Sequence, residues 1–284
     1  NSLSQIYYNC SFLSVVYCPN VSSWDVSKTN KWLSGAGTSV SGTKTAYKYS
    51  DISIPTSDSG IPSGWTIVQP VDETNYFYVE SLGDGNTVSV INVGNGSTGS
   101  ETPTLEYSKD KSTWNTITFD WASGTHTTEL PVKLNTGEKM YFRNDTRKFS
   151  ENSNYISFSS SVSSNVGGDI RTLSNYLDVN SETKPQSYMF RDLFNNNKNI
   201  VDASNLRLPY TTLADGCYFR IFQSCTSLTT APALPATTLA ANCYHNAFNR
   251  CTSLVNAPAL PATTLAVECY RALFYGCTSL LNVP

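Results

Sequence analysis

The sequence has few of the residues on which catalytic, metal and nucleic-acid sites depend. Only 14% of its 284 residues are charged, two are histidines, and the net charge is −3. Lysine and arginine form no basic cluster, which argues against nucleic acid as a partner. No run of about 18 apolar residues occurs, so the sequence predicts no membrane-spanning helix. A charged segment followed by an apolar one, as in a signal peptide, is not visible at the start.

Patterns of catalytic and metal-binding residues are missing as well. There is no Cys-x-x-Cys pair or Cys/His cluster, so zinc is not expected, and the carboxylates are too scattered to suggest a glycosidase-like pair. His126 and His245 fall in different modules. The segment from Gly83 to Asn86 fits a hairpin turn or part of a calcium loop, and we favour the turn. We therefore predict a protein that is not an enzyme and has no cofactor or metal.

What the sequence does contain is a 26-residue repeat near its end. The repeated marks are Cys217-Tyr218, Phe222 and Cys225-Thr-Ser-Leu228, then Cys243-Tyr244, Phe248 and Cys251-Thr-Ser-Leu254, then Cys269-Tyr270, Phe274 and Cys277-Thr-Ser-Leu280. A fixed period of this length predicts a solenoid of stacked units. Leu239, Cys243, Ala247 and Cys251 lie four residues apart, which predicts a short helix in each unit. The proline-containing segment after Leu254 predicts a short strand.

The repeated block resembles a known family. It reads Cys-Tyr-x-x-x-Phe-x-x-Cys-Thr-Ser-Leu-x-x-Ala-Pro-x-Leu-Pro-x-Thr-Thr-Leu-Ala, which is similar to the BspA-type leucine-rich repeats of surface proteins from anaerobic gut and oral bacteria. The resemblance implies a non-enzymatic adhesion or recognition protein, extracellular or at the cell surface, that binds a host protein or glycan.

The remaining sequence suggests further modules and an α+β fold. Short alternating runs every eight to fifteen residues, separated by turns with Gly, Asn or Asp, predict an immunoglobulin-like β-sandwich. The segments we predict are 1–35, the end of a leucine-rich repeat array; 36–69, a closing cap; 70–164, the sandwich; 165–207, a linker and degenerate capping repeat; and 208–284, three repeats. The spacing Tyr7-x-x-Cys10-x-x-Leu13 equals Phe222-x-x-Cys225-x-x-Leu228, and it places Asn1 inside a repeat.

The eight cysteines and two of the tryptophans allow more than one interpretation. On a helix, Cys217 and Cys225 would be about 12 Å apart by the helical rise, beyond the roughly 7 Å limit for a disulfide. Cysteines of stacked repeats could pair, but we favour a buried ladder of free thiols. Trp114 and Trp121 could form an aromatic patch for carbohydrate, and we favour a place in the sandwich core.

Candidate ligand-binding positions are those at which the repeats differ. They are Phe219, His245 and Arg271 at one position, and Gln223, Asn249 and Tyr275 at another. Core positions cannot vary so freely in volume, so these side chains are expected to face solvent. The alternative is an exposed face that tolerates change and binds nothing.

A second hypothesis for function concerns self-association. An uncapped repeat end is an apolar surface with an open edge, which demands a partner. The chain could therefore be the subunit of an extracellular filament or phage appendage that assembles head to tail through its repeat ends. A fragment of a longer repeat protein would have the same sequence features.

Overall fold

The structure is a computed structural model that describes only part of the chain. The described residues are 15–17, 34, 38–39, 41, 44–47, 61–68, 76–96, 104–119, 121–144, 149–150, 153–175 and 184–282. The chain divides into two compact units, Asn1–Glu73 and Thr74–Pro284. Most of the array end predicted over 1–35 and of the cap predicted over 36–69 lies outside the described residues.

The first unit contains three short strands in one parallel sheet. They are β1 (Val15–Tyr17), β2 (Lys44–Tyr47) and β3 (Trp65–Val68), in the order β1-β2-β3. Val15 pairs with Thr45, and Thr45 pairs with Thr66. Strands β2 and β3 lie in short stretches of the sequence in which apolar and polar residues alternate.

The second unit begins with two β-sheets. The strands are β4 (Phe77–Ser81), β5 (Val88–Gly94), β6 (Thr104–Ser108), β7 (Asn115–Thr118), β8 (Gly124–Glu129), β9 (Lys139–Arg143), β10 (Tyr155–Ser160), β11 (Ser164–Asp169) and β12 (Ile200–Arg207). One sheet has the order β10-β5-β8 and the other the order β12-β11-β4-β9-β6-β7. Alternate residues of the strands turn inward, and Phe77, Phe142 and Phe158 meet there with ring centroids 4.8 to 5.8 Å apart.

The predicted fold class, an α+β leucine-rich-repeat solenoid flanking an immunoglobulin-like sandwich, is wrong. Among the described residues, strands account for 32% and helix for about 2%. The single α-helix among the described residues, α1 (Thr172–Asn175), lies outside the three repeats. Strands β11 and β12 pair in parallel, whereas immunoglobulin-like sheets are antiparallel. None of the helices in the described part of the chain has the length and apolar character needed to cross a membrane.

Each segment expected to be helical is instead a row of tight turns. In the first repeat, Phe219 N donates to Gly216 O (3.0 Å), three residues earlier, while Arg220 N donates to His245 O (3.0 Å) in the next repeat. Odd-numbered N–H groups thus bond within the row and even-numbered ones bond across to the next row. We call the four rows and their connecting segments, residues 184–282, the repeat ladder.

The conformation at every fourth residue explains why a helix does not form. Positive φ angles occur at Gly216, Arg220 and Ser224, and at the same positions of the other rows. Those other residues are Tyr188, Asp192, Asn196, Asn242, Asn246, Arg250, Glu268, Ala272 and Gly276. A right-handed helix cannot contain them. Because this turn unit repeats every four residues, it places apolar side chains four residues apart on one face, as a helix does. The sequence pattern therefore could not distinguish a helix from a row of turns.

Identical positions stack along the ladder and form its core. The rings of Phe194, Phe222, Phe248 and Phe274 stack with centroids 4.9 to 5.8 Å apart. Six cysteines are free thiols in two columns: Cys217, Cys243 and Cys269, and Cys225, Cys251 and Cys277. In the second column each thiol donates to the carbonyl of the phenylalanine in the preceding row at 3.0 Å. Cys10 and Cys18 lie outside the described residues.

The first row of the ladder is covered by the sheet that contains β10. Phe158 N donates to Leu193 O (2.8 Å), and Asn197 Nδ2 donates to Phe158 O (3.1 Å). Asn197 stands where the other rows have cysteine, and its amide donates to a strand carbonyl, as those thiols donate to a carbonyl of the preceding row. The segment 165–207, predicted to be a linker and capping repeat, contributes most of β11, all of β12 and this first row.

Candidate functional site

The six predicted binding residues form two columns on the repeat ladder, because its rows are in register. Backbone bonds from Arg220 N to His245 O (3.0 Å) and from Asn246 N to Arg271 O (2.9 Å) fix neighbouring rows at 26-residue intervals. The first column consists of Phe219, His245 and Arg271. The second consists of Gln223, Asn249 and Tyr275. Both columns occupy the same place in successive turn units, four residues apart.

Side chains of the first column are linked by one ring contact and by ion pairs through Glu268. The rings of Phe219 and His245 meet edge to face, with centroids 5.0 Å apart. His245 Nδ1 lies 2.9 Å from Asn242 Oδ1 and 3.6 Å from Glu268 Oε2. Glu268 also pairs with Arg271, whose Nη1 lies 2.8 Å from Glu268 Oε1. The column therefore presents an aromatic edge, an imidazole and a guanidinium in one line, groups that can bind hydroxyls and carboxylates.

The second column is covered to different degrees along the ladder. Gln223 is half-buried, Asn249 is buried, and Tyr275 is 66% exposed. Asn249 Nδ2 donates to Asn246 Oδ1 at 3.0 Å. Gln223 and Asn249 lie in rows that are followed by another row, whereas no described row follows Tyr275, the exposed member. The expectation of a uniformly exposed face does not describe these columns.

A buried charge cluster extends the first column, and the sequence analysis did not find it. Arg191 occupies the equivalent position in the row before Phe219, with its guanidinium carbon 5.5 Å from the Phe219 ring centroid and 5.0 Å from that of Tyr155. Arg191 Nε and Arg220 Nη2 lie 3.0 and 2.9 Å from the same Asp192 oxygen. These two rows are 28 residues apart instead of 26, and the sequence analysis treated the earlier row as a degenerate capping repeat and compared variable positions only among the three repeats that follow.

Burial and nearby charges shift the pKa values of two groups in this region. Burial lowers the pKa of His245, and the positive charge of Arg271 adds to that effect while Glu268 opposes it. The imidazole is therefore held toward its neutral form. Burial also raises the pKa of Tyr155, with a contribution from the Asp192 carboxylate. These groups are thus suited to hydrogen bonding in their neutral forms.

The outer surface of the third repeat is a second candidate site. We call it the end face, formed by Leu265, Tyr270, Phe274, Tyr275 and Leu280. Leu265 is 69% exposed, whereas Leu213, at the same position of the first repeat, is 4% exposed. Phe274 and Tyr270 are half-buried, although their counterparts in both preceding repeats are buried. Exposed apolar groups gathered in one place are typical of interaction surfaces, and these groups are exposed because no described row follows the third repeat.

Other positions noted in the sequence have structural roles. Trp121 is buried in the core, whereas Trp114 lies on the outer side of the six-stranded sheet with the Arg143 guanidinium 3.9 Å from its ring centroid. Asp84 Oδ1 accepts hydrogen bonds from Thr136 N (2.9 Å) and Oγ1 (2.8 Å), as expected of a turn. Within the described ranges, no group of three or more His, Cys, Asp or Glu residues is placed to hold a metal ion.

Comparison with known proteins finds no relative with which these candidate sites can be compared. No family model, curated protein or solved structure matches the chain. Functional inference for the two candidate surfaces therefore comes from their own contacts and chemistry.

Proposed function

We propose that this chain is a non-enzymatic recognition protein, extracellular or at the cell surface, that binds a host protein or a glycan through the two columns. The observation that supports the proposal is the continuous line from Phe219 to Arg271, in which an aromatic edge, an imidazole and a guanidinium follow one another. Aromatic and arginine side chains are the groups that contribute most to binding in protein interfaces.

The chemistry of the columns suggests how a ligand would bind. A neutral His245 can donate or accept one hydrogen bond to a hydroxyl group, while the exposed Arg271 offers several donors to a carboxylate. Tyr275 adds an exposed ring beside them. The low charge content of the chain and its abundant polar uncharged residues agree with a protein that works in the extracellular environment.

The test is a screen of the purified chain against glycan and matrix-protein arrays. For a ligand found in this way, Arg271→Ala and Tyr275→Ala should each weaken binding by about tenfold, the cost expected of a contact residue. Thr263→Ala, an exposed change away from both columns, is the matched control. Binding that is unaffected by both column variants would refute the site. Turnover of a polymer, abolished by a single substitution, would refute a non-enzymatic role.

A second candidate function is supported by the end face. We propose as the alternative a structural subunit of an extracellular filament or phage appendage that self-associates through a repeat end. The first row is covered by the sheet containing β10, so among the described rows only the third has its outer side uncovered. Light scattering and negative-stain microscopy across micromolar concentrations would test it. A monodisperse monomer throughout would contradict the filament.

A further inference from the structure

The charge cluster where the first row of the ladder meets the second has more positive than negative groups. We call it the junction cluster, and its members are Arg191, Asp192, Asn195, Arg220 and Gln223. Arg191 and Arg220 both donate to the same Asp192 oxygen, at 3.0 and 2.9 Å. Two guanidinium groups against one carboxylate leave one positive charge of the cluster unbalanced. Arg271, in contrast, is paired with a carboxylate of its own in Glu268.

Arg220 is the guanidinium group of this cluster that a ligand can reach. Its side chain is 30% exposed, against 10% for that of Arg191. Arg220 Nη2 donates to Asp192, whereas Arg220 Nε is buried and has no partner among the described residues. Because a guanidinium group has five N–H donors, Arg220 has the capacity to bind a second carboxylate.

Two amide groups beside Arg220 have acceptors without donors. Asn195 Nδ2 donates to Asp192 Oδ1 (2.8 Å), so the oxygen is the free end of that amide. Asn195 Oδ1 and Gln223 Oε1 are both buried and have no partner in the part of the chain that the structure describes. Their rows are in register, because Asn196 N donates to Gln223 O (2.8 Å). Buried polar atoms are rarely left unpaired, so two such acceptors near a half-exposed arginine indicate a site for a polar ligand.

Phe219 adds an apolar surface to this site. The Arg220 guanidinium carbon lies 4.8 Å from the centroid of its ring, and the His245 ring meets it edge to face at 5.0 Å. The Phe219 side chain is half-buried, so part of its ring remains open to solvent. The negative face of an aromatic ring attracts the slightly positive C–H groups of a sugar ring. A ligand at the junction cluster can therefore pair its charge with Arg220 and pack its ring on Phe219.

This combination of groups fits a sugar acid better than an acidic peptide. A sugar acid has hydroxyl groups on carbon atoms close to its carboxylate, and these can donate to Asn195 Oδ1 and Gln223 Oε1 while the carboxylate pairs with Arg220. The carboxylate of an aspartate or glutamate side chain follows methylene groups, which have no such donors. We propose that the junction cluster binds a carboxylate-bearing sugar of a glycan, with the carboxylate paired to Arg220. The proposal rests on the recognition function and names its ligand class.

Titration calorimetry of the full chain with matched pairs of oligosaccharides tests the ligand class. The probes are oligosaccharides that contain uronic acid or sialic acid, each compared with the same oligosaccharide after reduction of its carboxyl group to a hydroxymethyl group. At least one acid should bind at least about tenfold more tightly than its reduced form, as expected for a hydrogen bond between charged groups. Acidic peptides are titrated in parallel and should bind more weakly than that acid.

Two variants test the site. Arg220→Gln removes the unbalanced charge, and Gln223→Glu places a carboxylate of the protein beside Arg220, so each should weaken binding of the acid by at least about tenfold. Lys133→Gln, at an exposed residue between β8 and β9, changes the net charge by the same amount and should leave the affinity unchanged. Gln223→Glu nearly preserves side-chain shape, so it decides the outcome if Arg220→Gln fails to fold.

The imidazole of His245 provides an independent measurement. Burial lowers the pKa of His245, and the positive charges of Arg271 and Arg220 add to that effect. A carboxylate bound at Arg220 offsets part of this charge, so the pKa of His245 should rise when the acid binds and should not change with the reduced form. NMR titration measures it, with the signal of His126, in β8, as the internal reference. An unchanged pKa of His245 at saturating acid would overturn the placement of the carboxylate.

The results separate this inference from the function on which it rests. Equal affinity for the acids and their reduced forms, or tighter binding of a peptide, would overturn the ligand class and leave the recognition function standing. A preference for the acid that persists in both Arg220→Gln and Gln223→Glu would overturn the site, including the case in which Arg271→Ala abolishes it. A chain that binds no glycan and no protein would contradict both the inference and the recognition function.

Discussion

Asp192 is buried where the first row of the ladder meets the second. Its carboxylate accepts from Arg191 and Arg220 through one oxygen and from Asn195 Nδ2 (2.8 Å) through the other. Its φ of 56° lies in the left-handed region, which aspartate tolerates better than most residues. The carboxylate of this residue thus pairs with two guanidinium groups, and its backbone adopts a turn conformation that few residue types tolerate.

Replacing this carboxylate should be strongly destabilising. Asp192→Asn keeps the shape and the backbone preference but removes the carboxylate charge that Arg191 and Arg220 share, so the free energy of unfolding should fall by about 3–5 kcal/mol. Urea unfolding monitored by circular dichroism measures the change. Asp215→Asn is the matched control, because Asp215 is exposed and its Oδ1 accepts only from Ala241 N (3.0 Å), a role that an amide oxygen can fill. Equal effects of the two variants would contradict a charge-specific role.

Among the residues that the structure describes, the hydroxyl groups of Tyr218, Tyr244 and Tyr270 are buried and have no hydrogen-bond partner. Phe190 occupies the same position in the first row and stacks on Tyr218 at 5.9 Å, so phenylalanine fits the column. Because an unpaired buried hydroxyl costs free energy, Tyr244→Phe should raise the free energy of unfolding by about 1 kcal/mol. Tyr275→Phe, at an exposed hydroxyl, should leave it unchanged. A destabilised Tyr244→Phe variant would show that this hydroxyl has a partner.

At the scale of one element, a row of turns depends on residues that tolerate a positive φ. Asn246, with φ of 57°, lies in the middle of the second row. Asn246→Val places a β-branched residue there and should cost about 1–2 kcal/mol more than Asn246→Gly. Both variants lose the hydrogen bond from Asn249 Nδ2, so their difference isolates the backbone. Thermal unfolding of the two proteins measures it, and equal stabilities would argue against this row conformation.

The columns of buried thiols predict a dependence of stability on alkaline pH. Burial raises the pKa of Cys243 from 9.0 to about 11. Above pH 9 the unfolded chain releases this proton before the folded protein does, so the contribution of this thiol to the free energy of unfolding should be constant below pH 9 and fall between pH 9 and 11. Urea titrations at several pH values test this. Cys243→Ala should reduce the slope in that range, and an unchanged slope would contradict the assignment.

The sequence predicted which residues form the rows, but not their conformation. The period of 26 placed Phe222, Phe248 and Phe274 in one stack, and the structure contains that stack. The helix prediction failed because the four-residue spacing of apolar residues is shared by a helix and by the turn unit. The informative signal was the polar residue at every fourth position, where Asn242 and Asn246 favour a turn that a helix excludes.

At the scale of the whole second unit, the sheets and the ladder share one core. Buried apolar residues form a single cluster from Phe77 to Leu273. Phe158 lies at the junction, with ring centroids 5.0 Å from Phe77 and 6.4 Å from Phe194. Alternating apolar runs in the sequence predicted strands in the sheets. They could not predict that β12 would pair in parallel with β11, because that pairing depends on contacts between residues more than 30 positions apart.

A shared core implies that the sheets and the ladder unfold together. Phe158→Ala removes a ring that contacts both parts, so it should lower the free energy of unfolding by about 3–5 kcal/mol while leaving one thermal transition for this unit. Phe274→Ala, at the half-buried outer end of the same phenylalanine stack, should cost less and should increase hydrogen exchange mainly in the third repeat. Calorimetry and hydrogen exchange by mass spectrometry measure both. Two separate transitions within residues 74–284 of the Phe158→Ala variant would mean that the ladder does not depend on the sheets for its stability.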